Sequence, residues 1–195
     1  MKLKFKSLIL LAVLSAFISV PALADFTVDK RHTSVGFLTR HFMTRVRGHF
    51  DDYTAEFKFD EKSPEKSMAR FVAKAASVNS ENPDRDKVIR SEDFLDVDKY
   101  PELSFQSTKV RSLGDKKYGL EGDLTIRGIK KPVLLEVEYL GSIVDQSKVT
   151  RAGFAIRGKI NRKDFGIVWN RVLDNGGVMI PDEVEIDIQV EATQK

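Results

Sequence analysis

The chain has 195 residues, no cysteine, 42% hydrophobic residues and a formal net charge of +3. Lys2, Lys4 and Lys6 account for that excess, and from residue 25 onward basic and acidic side chains are equal in number. Neutrality of this kind speaks against a nucleic-acid binder and against general attraction to anionic membrane, and the missing cysteines exclude disulfides and a lipidated anchor cysteine.

The first element is a secretion signal. Its three lysines form the n-region, Ser7 to Val20 is an apolar run, and Ala22-Leu23-Ala24 supplies a small-x-small site for cleavage between Ala24 and Asp25. The run stops at Pro21, short of the ~20 apolar residues a membrane span needs. Residues 1–24 are therefore read as removed, and residues 25–195 as one exported domain with the periplasm as its expected address. No linker or charge block divides that domain, and nothing in it predicts stable membrane insertion. A homodimer is compatible with the sequence.

From Phe26 the chain reads as strands. Phe26 to Asp29 and Ser34 to Thr39 open the series, followed by Tyr53 to Phe59, where Tyr53, Ala55, Phe57 and Phe59 alternate with polar residues. Arg70 to Val78, Leu103 to Ser112, Tyr118 to Ile126, Val133 to Tyr139 and Phe154 to Ile160 come next. The last, Glu183 to Glu191, sets Val184, Ile186, Ile188 and Val190 against an acidic and polar row. Turns fall at Ser63-Pro64-Glu65, Gly114-Asp115-Lys116, Asp145-Gln146-Ser147 and Asp174-Asn175-Gly176-Gly177. About eight or nine one-faced strands at short spacing predict an antiparallel sandwich or closed barrel. Asn82-Pro83-Asp84 interrupts them with the cap, first-turn proline and acids of a short helix, which should end before Tyr100-Pro101.

Whether a barrel of this size is packed or hollow decides between a structural role and a binding one. The row Phe71, Ala73, Ala75 and Ser77 is mostly small and Gly158 lies on another inward row, which leaves room unless large neighbours interlock with them.

Recognised catalytic motifs fail. Gly153 to Lys159 has phosphate-loop spacing, but Ile160 replaces the magnesium-binding hydroxyl and the run alternates as a strand. Asp164-Phe165-Gly166 stands without the other kinase motifs. His41 and His49 on one straight strand would lie ~26 Å apart, too far to share a metal, so no metal site is assigned. The three histidines are read as hydrogen-bonding near the barrel mouth, with Asp29 the partner of His32.

The ordered set Asp29-x-x-His32-Thr33-x-Val35-x-Phe37-x-x-x-His41, Val46-Arg47-Gly48-x-Phe50, Arg85-Asp86, Ser91-x-Asp93-Phe94, Tyr100-Pro101 and Phe105-x-Ser107 resembles the YceI-like, polyisoprenoid-binding proteins. The resemblance continues through Gly122-x-Leu124-Thr125-Ile126-Arg127-Gly128, Lys131-Pro132-Val133 and Ile160-x-Arg162-x-Asp164-Phe165-Gly166. It spans the whole exported domain. Leu95 departs from the family, where an aromatic is common.

The resemblance implies an all-β fold, an eight-stranded antiparallel lipocalin-like barrel with a short helical cover, holding an isoprenoid lipid such as a polyprenyl phosphate or quinone. No cofactor is expected. Phe37, Phe42, Phe50, Phe71, Phe94 and Phe105 are the residues expected to line the tail site, and His32, His41, Arg47 and Arg85 to receive a head group at the mouth. Two other readings stay open. One is an enzyme acting on a small apolar substrate through Asp86, Asp93 or a histidine. The other is a stress-related protein with a filled barrel.

Overall fold

The computed structural model describes residues 24–172 and 178–194. The signal segment before Ala24 and the turn at 174–177 lie outside the described residues. Among the described residues, eleven strand segments form a single antiparallel sheet: β1 (Ala24–Val28), β2 (Ser34–His41), β3 (Thr44–Phe50), β4 (Tyr53–Phe59), β5 (Met68–Lys74), β6 (Val78–Asn79), β7 (Glu102–Gly114), β8 (Lys117–Ile126), β9 (Ile129–Val144), β10 (Thr150–Asn161) and β11 (Glu183–Gln194). The helix α1 (Pro83–Arg90) stands between β6 and β7.

The pairings close a ring. The order β1, β4, β5, β7, β8, β9, β10, β11 returns to β1 through the pairs Phe26–Gln194 and Val28–Ala192. The other three segments lengthen its staves: β2 carries β1 onward between β11 and β3, and β3 and β6 carry β4 and β5 toward the same end. The barrel is thus eight-stranded, with three staves bent at residues 29–33, 51–52 and 75–77. Closure leaves few unpaired strand edges.

Two strand readings are corrected here. Arg70 to Val78 is not continuous, because a 3-10 turn at Ala75–Ser77 breaks it and Ser77 Oγ caps Lys74 O at 2.8 Å. The row expected from Phe71 to Ser77 therefore ends at Ala73. β3 is an additional strand, obscured in the sequence because its inward row is only Val46, Gly48 and Phe50 beside exposed arginines. The two-residue turn Phe42-Met43 before it puts His41 and His49 on different strands. His41 borders the interior, whereas His49 Nε2 sits 3.0 Å from Asp51.

One end of the barrel is closed by an aromatic plug. Phe26 stacks on Phe57 at 5.3 Å, and the Phe59 ring meets those of Tyr118, Tyr139 and Phe154 at 5.0–5.2 Å. Contacts of this kind are each worth ~0.5–1.5 kcal/mol beyond burial. Outside that end Arg151 joins three segments, donating to Asp145 and Glu191 at 2.8 Å and to Asp29 at 3.3 Å.

Candidate ligand cavity

The other end carries α1, the segment 91–100 and the described residues 162–172 and 178–182, and each is tied down by a charged side chain. Asn82 caps α1 by accepting from Arg85 N at 3.0 Å. Asp86, only 6% exposed, accepts from both the backbone N–H (2.8 Å) and the hydroxyl of Ser80. Arg85 donates to Ser80 Oγ and O, and Arg90 to the carbonyls of Ala76 and Val78. Segment 91–100 is held by Arg127, which donates to the carbonyls of Glu92 and Phe94. Residues 162–172 and 178–182 gather around Arg162, which is 3% exposed and donates to Pro181, Ile167 and Trp169 carbonyls and to Asp182. Burial pushes its guanidinium pKa down, and Asp182 opposes that. Phe94 and Trp169 meet across these two segments with ring centroids 5.5 Å apart.

Between cover and plug lies a cavity of about 730 Å³. This is within the range of small-molecule sites. Its wall is almost wholly apolar, built from the inward rows of the staves. The glycines on those rows do not account for the space. A Cβ at Gly158 would lie 2.4 Å from Leu135 Cδ2, and one at Gly48 2.4 Å from Phe37 Cζ. Each glycine lets a neighbour's side chain lie flat along the wall, which keeps that side chain out of the lumen. Two polar atoms of the wall, Thr39 Oγ1 and the Tyr53 hydroxyl, are buried without a hydrogen bond of ordinary geometry among the described residues. Burial raises the Tyr53 pKa, with Thr33 acting in the opposite direction.

Of the phenylalanines expected to line the site, Phe37, Phe50, Phe71, Phe94 and Phe105 border this cavity. Phe42 does not. It occupies the β2–β3 turn, 45% exposed, because that turn sends its side chain outward. The expected head-group residues divide. His41 and Arg85 border the cavity at the cover end, although Arg85 spends two nitrogens on Ser80. Arg47 is on the outer face of β3, since Val46 and Gly48 on either side of it point inward. His32 lies on the outer wall and bonds Asp29 through Nδ1 at 3.0 Å, so that pair exists but not at the mouth.

Sequence reasoning missed Trp169, Tyr53, Thr39 and Arg162 as wall residues. The only tryptophan of the chain, three residues after Gly166, was the available signal for Trp169. The proposed acid–base residues are accounted for differently: Asp86 is consumed by Ser80, and Asp93 is exposed and not part of the wall. Asp29, His32 and Glu191 bring ligand atoms within 4.8 Å of one another. Arg151 already bonds both carboxylates, so this cluster is read as an ion-pair network.

The YceI-like domain model matches residues 26–192. A protein named YceI from Shigella flexneri is 38% identical over 175 residues, covering 88% of each chain. The crystal structure of a Campylobacter jejuni YCEI protein superposes with a TM-score of 0.69 at 35% identity, covering 87% of this chain and 97% of that one. A polyisoprenoid binding domain from Saccharophagus degradans superposes with a TM-score of 0.59 at 14% identity, covering 89% of this chain and all of its own, a likeness of fold. With strand order, cover and cavity shared out along the same residues that the family model spans, the chain belongs to the YceI-like family.

Proposed function

We propose that the protein is a periplasmic carrier that sequesters an isoprenoid lipid, a polyprenyl phosphate or an isoprenoid quinone, with its tail in the barrel. The observation that carries this reading is the apolar cavity of about 730 Å³. Burying one five-carbon isoprene unit is worth roughly 4 kcal/mol at ~0.8 kcal/mol per methylene, so such a tail needs a sheath to cross water. The head group would rest at the cover end near His41, the tail running toward the plug. The description of the Saccharophagus relative as a polyisoprenoid binding domain is in keeping with this ligand class. The signal segment supports the address.

The cavity argues against a filled barrel with a purely structural role. The commitment of Asp86 to Ser80 weakens the enzyme reading. Mass spectrometry of organic extracts from protein made in a bacterial periplasm tests the proposal: a co-purifying isoprenoid is expected, and folded protein that repeatedly yields none refutes it. Phe94→Asp should abolish retention. Unchanged retention by that variant would remove Phe94 from the site.

A further inference from the structure

The tip of the β2–β3 hairpin breaks the usual rule for such turns. Two-residue hairpin turns place glycine or asparagine where φ is positive, yet here the position is Phe42, with φ +53°, followed by Met43. Neither side chain is buried as compensation: Phe42, whose ring meets that of His41 at 4.4 Å, is 45% exposed and Met43 87%. An unfavourable backbone retained to present two large apolar side chains to solvent points to a surface that they meet.

The charge around the tip has the same character. Residues 39–49 contain no acid, and Arg40 and Arg45 are direct cross-strand neighbours, a like-charge pairing that a sheet normally avoids. Arg47 lies on the outer face with Arg45, while Arg40 also borders the mouth of the cavity. Arg45 has Glu185 at 3.9 Å, and Arg40 reaches the Met43 carbonyl at 3.5 Å. The overall neutrality of the chain conceals this local excess. Phe42 N donates to Met179 O at 2.9 Å, which ties the tip to the cavity cover. Val88, itself a cavity residue, and Val168, between cavity residues Ile167 and Trp169, are also exposed there.

We propose that this hairpin is a membrane-docking finger: Phe42 and Met43 enter the headgroup boundary of an anionic bilayer while Arg40, Arg45 and Arg47 bind its phosphates. Apolar tips flanked by arginines are the two components of interfacial attachment. Docking in this orientation sets the covered end of the cavity against the bilayer, so that a lipid exchanges without exposing its tail to water. The inference rests on the carrier reading for its purpose, but not for its test.

The test is flotation of the full mature chain with vesicles of phosphatidylethanolamine containing phosphatidylglycerol, beside vesicles of phosphatidylcholine alone. The wild type should float with the anionic vesicles and less with the neutral ones, and high salt should release it. Arg45→Gln with Arg47→Gln should weaken binding about thirtyfold, from the usual contribution of two basic residues near an anionic surface. Phe42→Ser with Met43→Ser should weaken it about tenfold or more. Trp169 emission checks that both variants fold, and their extractable lipid should match the wild type. Absence of flotation by the wild type, or variants that float equally well, would overturn the proposal. So would a photocrosslinker at position 43 that captures only protein while vesicles are ignored. Flotation as expected with no isoprenoid in the extract would leave the docking finger standing and remove the carrier.

Discussion

Gly48→Ala separates a hollow barrel from a packed one. The added Cβ would sit 2.4 Å from Phe37 Cζ, with the two Cε atoms at 2.8 and 3.1 Å. Carbon atoms settle at ~3.5–4.0 Å, so the ring must retreat by more than about 1 Å. With empty lumen beside it, the cost is that of a displaced side chain, ~1 kcal/mol, and Tm should fall by about 2–4 °C. In a filled barrel the cost would be the ~3 kcal/mol of overpacking and Tm would fall by up to about 12 °C. The ring moves into the space a ligand uses. Displacing one or two methylenes at ~0.8 kcal/mol each weakens affinity about 4- to 15-fold. Titrating a short-chain isoprenoid quinone against the emission of Trp169, the single tryptophan on the cavity wall, measures this directly. Gly122→Ala is the contrasting control, because its Cβ would also lie 2.6 Å from the backbone oxygen of Gln106, which cannot swing away. That variant should be damaged in folding. Wild-type affinity together with a large loss of Tm in Gly48→Ala would refute the reasoning.

Two further outcomes follow from the cover and the outer wall. Asp86→Ala leaves the buried N–H and hydroxyl of Ser80 without their acceptor, a loss of roughly 3 kcal/mol, so Tm should fall by about 6–12 °C and amide exchange in α1 should accelerate. Asp86→Asn, which keeps an acceptor oxygen, should fall less, and equal behaviour of the two would contradict the anchoring role. Asp29 is held at a pKa of about 2, first by its hydrogen bond to His32 and further by the backbone N–H of Arg31, against the effect of burial. A folded-state pKa below the unfolded value of 3.8 means that the stabilisation is present above about pH 4 and is lost as pH falls toward 2. Urea midpoints measured across that window should slope less in Asp29→Asn than in the wild type, with Asp145 and Asp182, also lowered, retaining part of the slope. An unchanged slope would show that Asp29 does not carry the acid sensitivity.

Most of the barrel was legible because a one-faced strand writes its geometry as a period of two. The rows of β4, β9, β10 and β11, the capped start of α1 and the Asp29–His32 pair could all be read from residue order. β3 escaped because a glycine and two arginines diluted its apolar row. The parity of that row, with Val46 and Gly48 inward, would have placed Arg47 outside the cavity.

The sequence by itself determined which side chains share a face, because alternation is a local property of the backbone. Only the tertiary structure decided what each face meets. The break at Ala75–Ser77 depends on contacts such as Ala75 N to Pro101 O, made by a segment far along the chain. Whether an inward glycine opens space or is covered depends on the neighbouring strand, and Leu135 over Gly158 and Phe37 over Gly48 come from register between strands. The lumen is what remains after all eight staves have laid their side chains along the wall, a sum over non-local contacts that no single stretch of sequence contains.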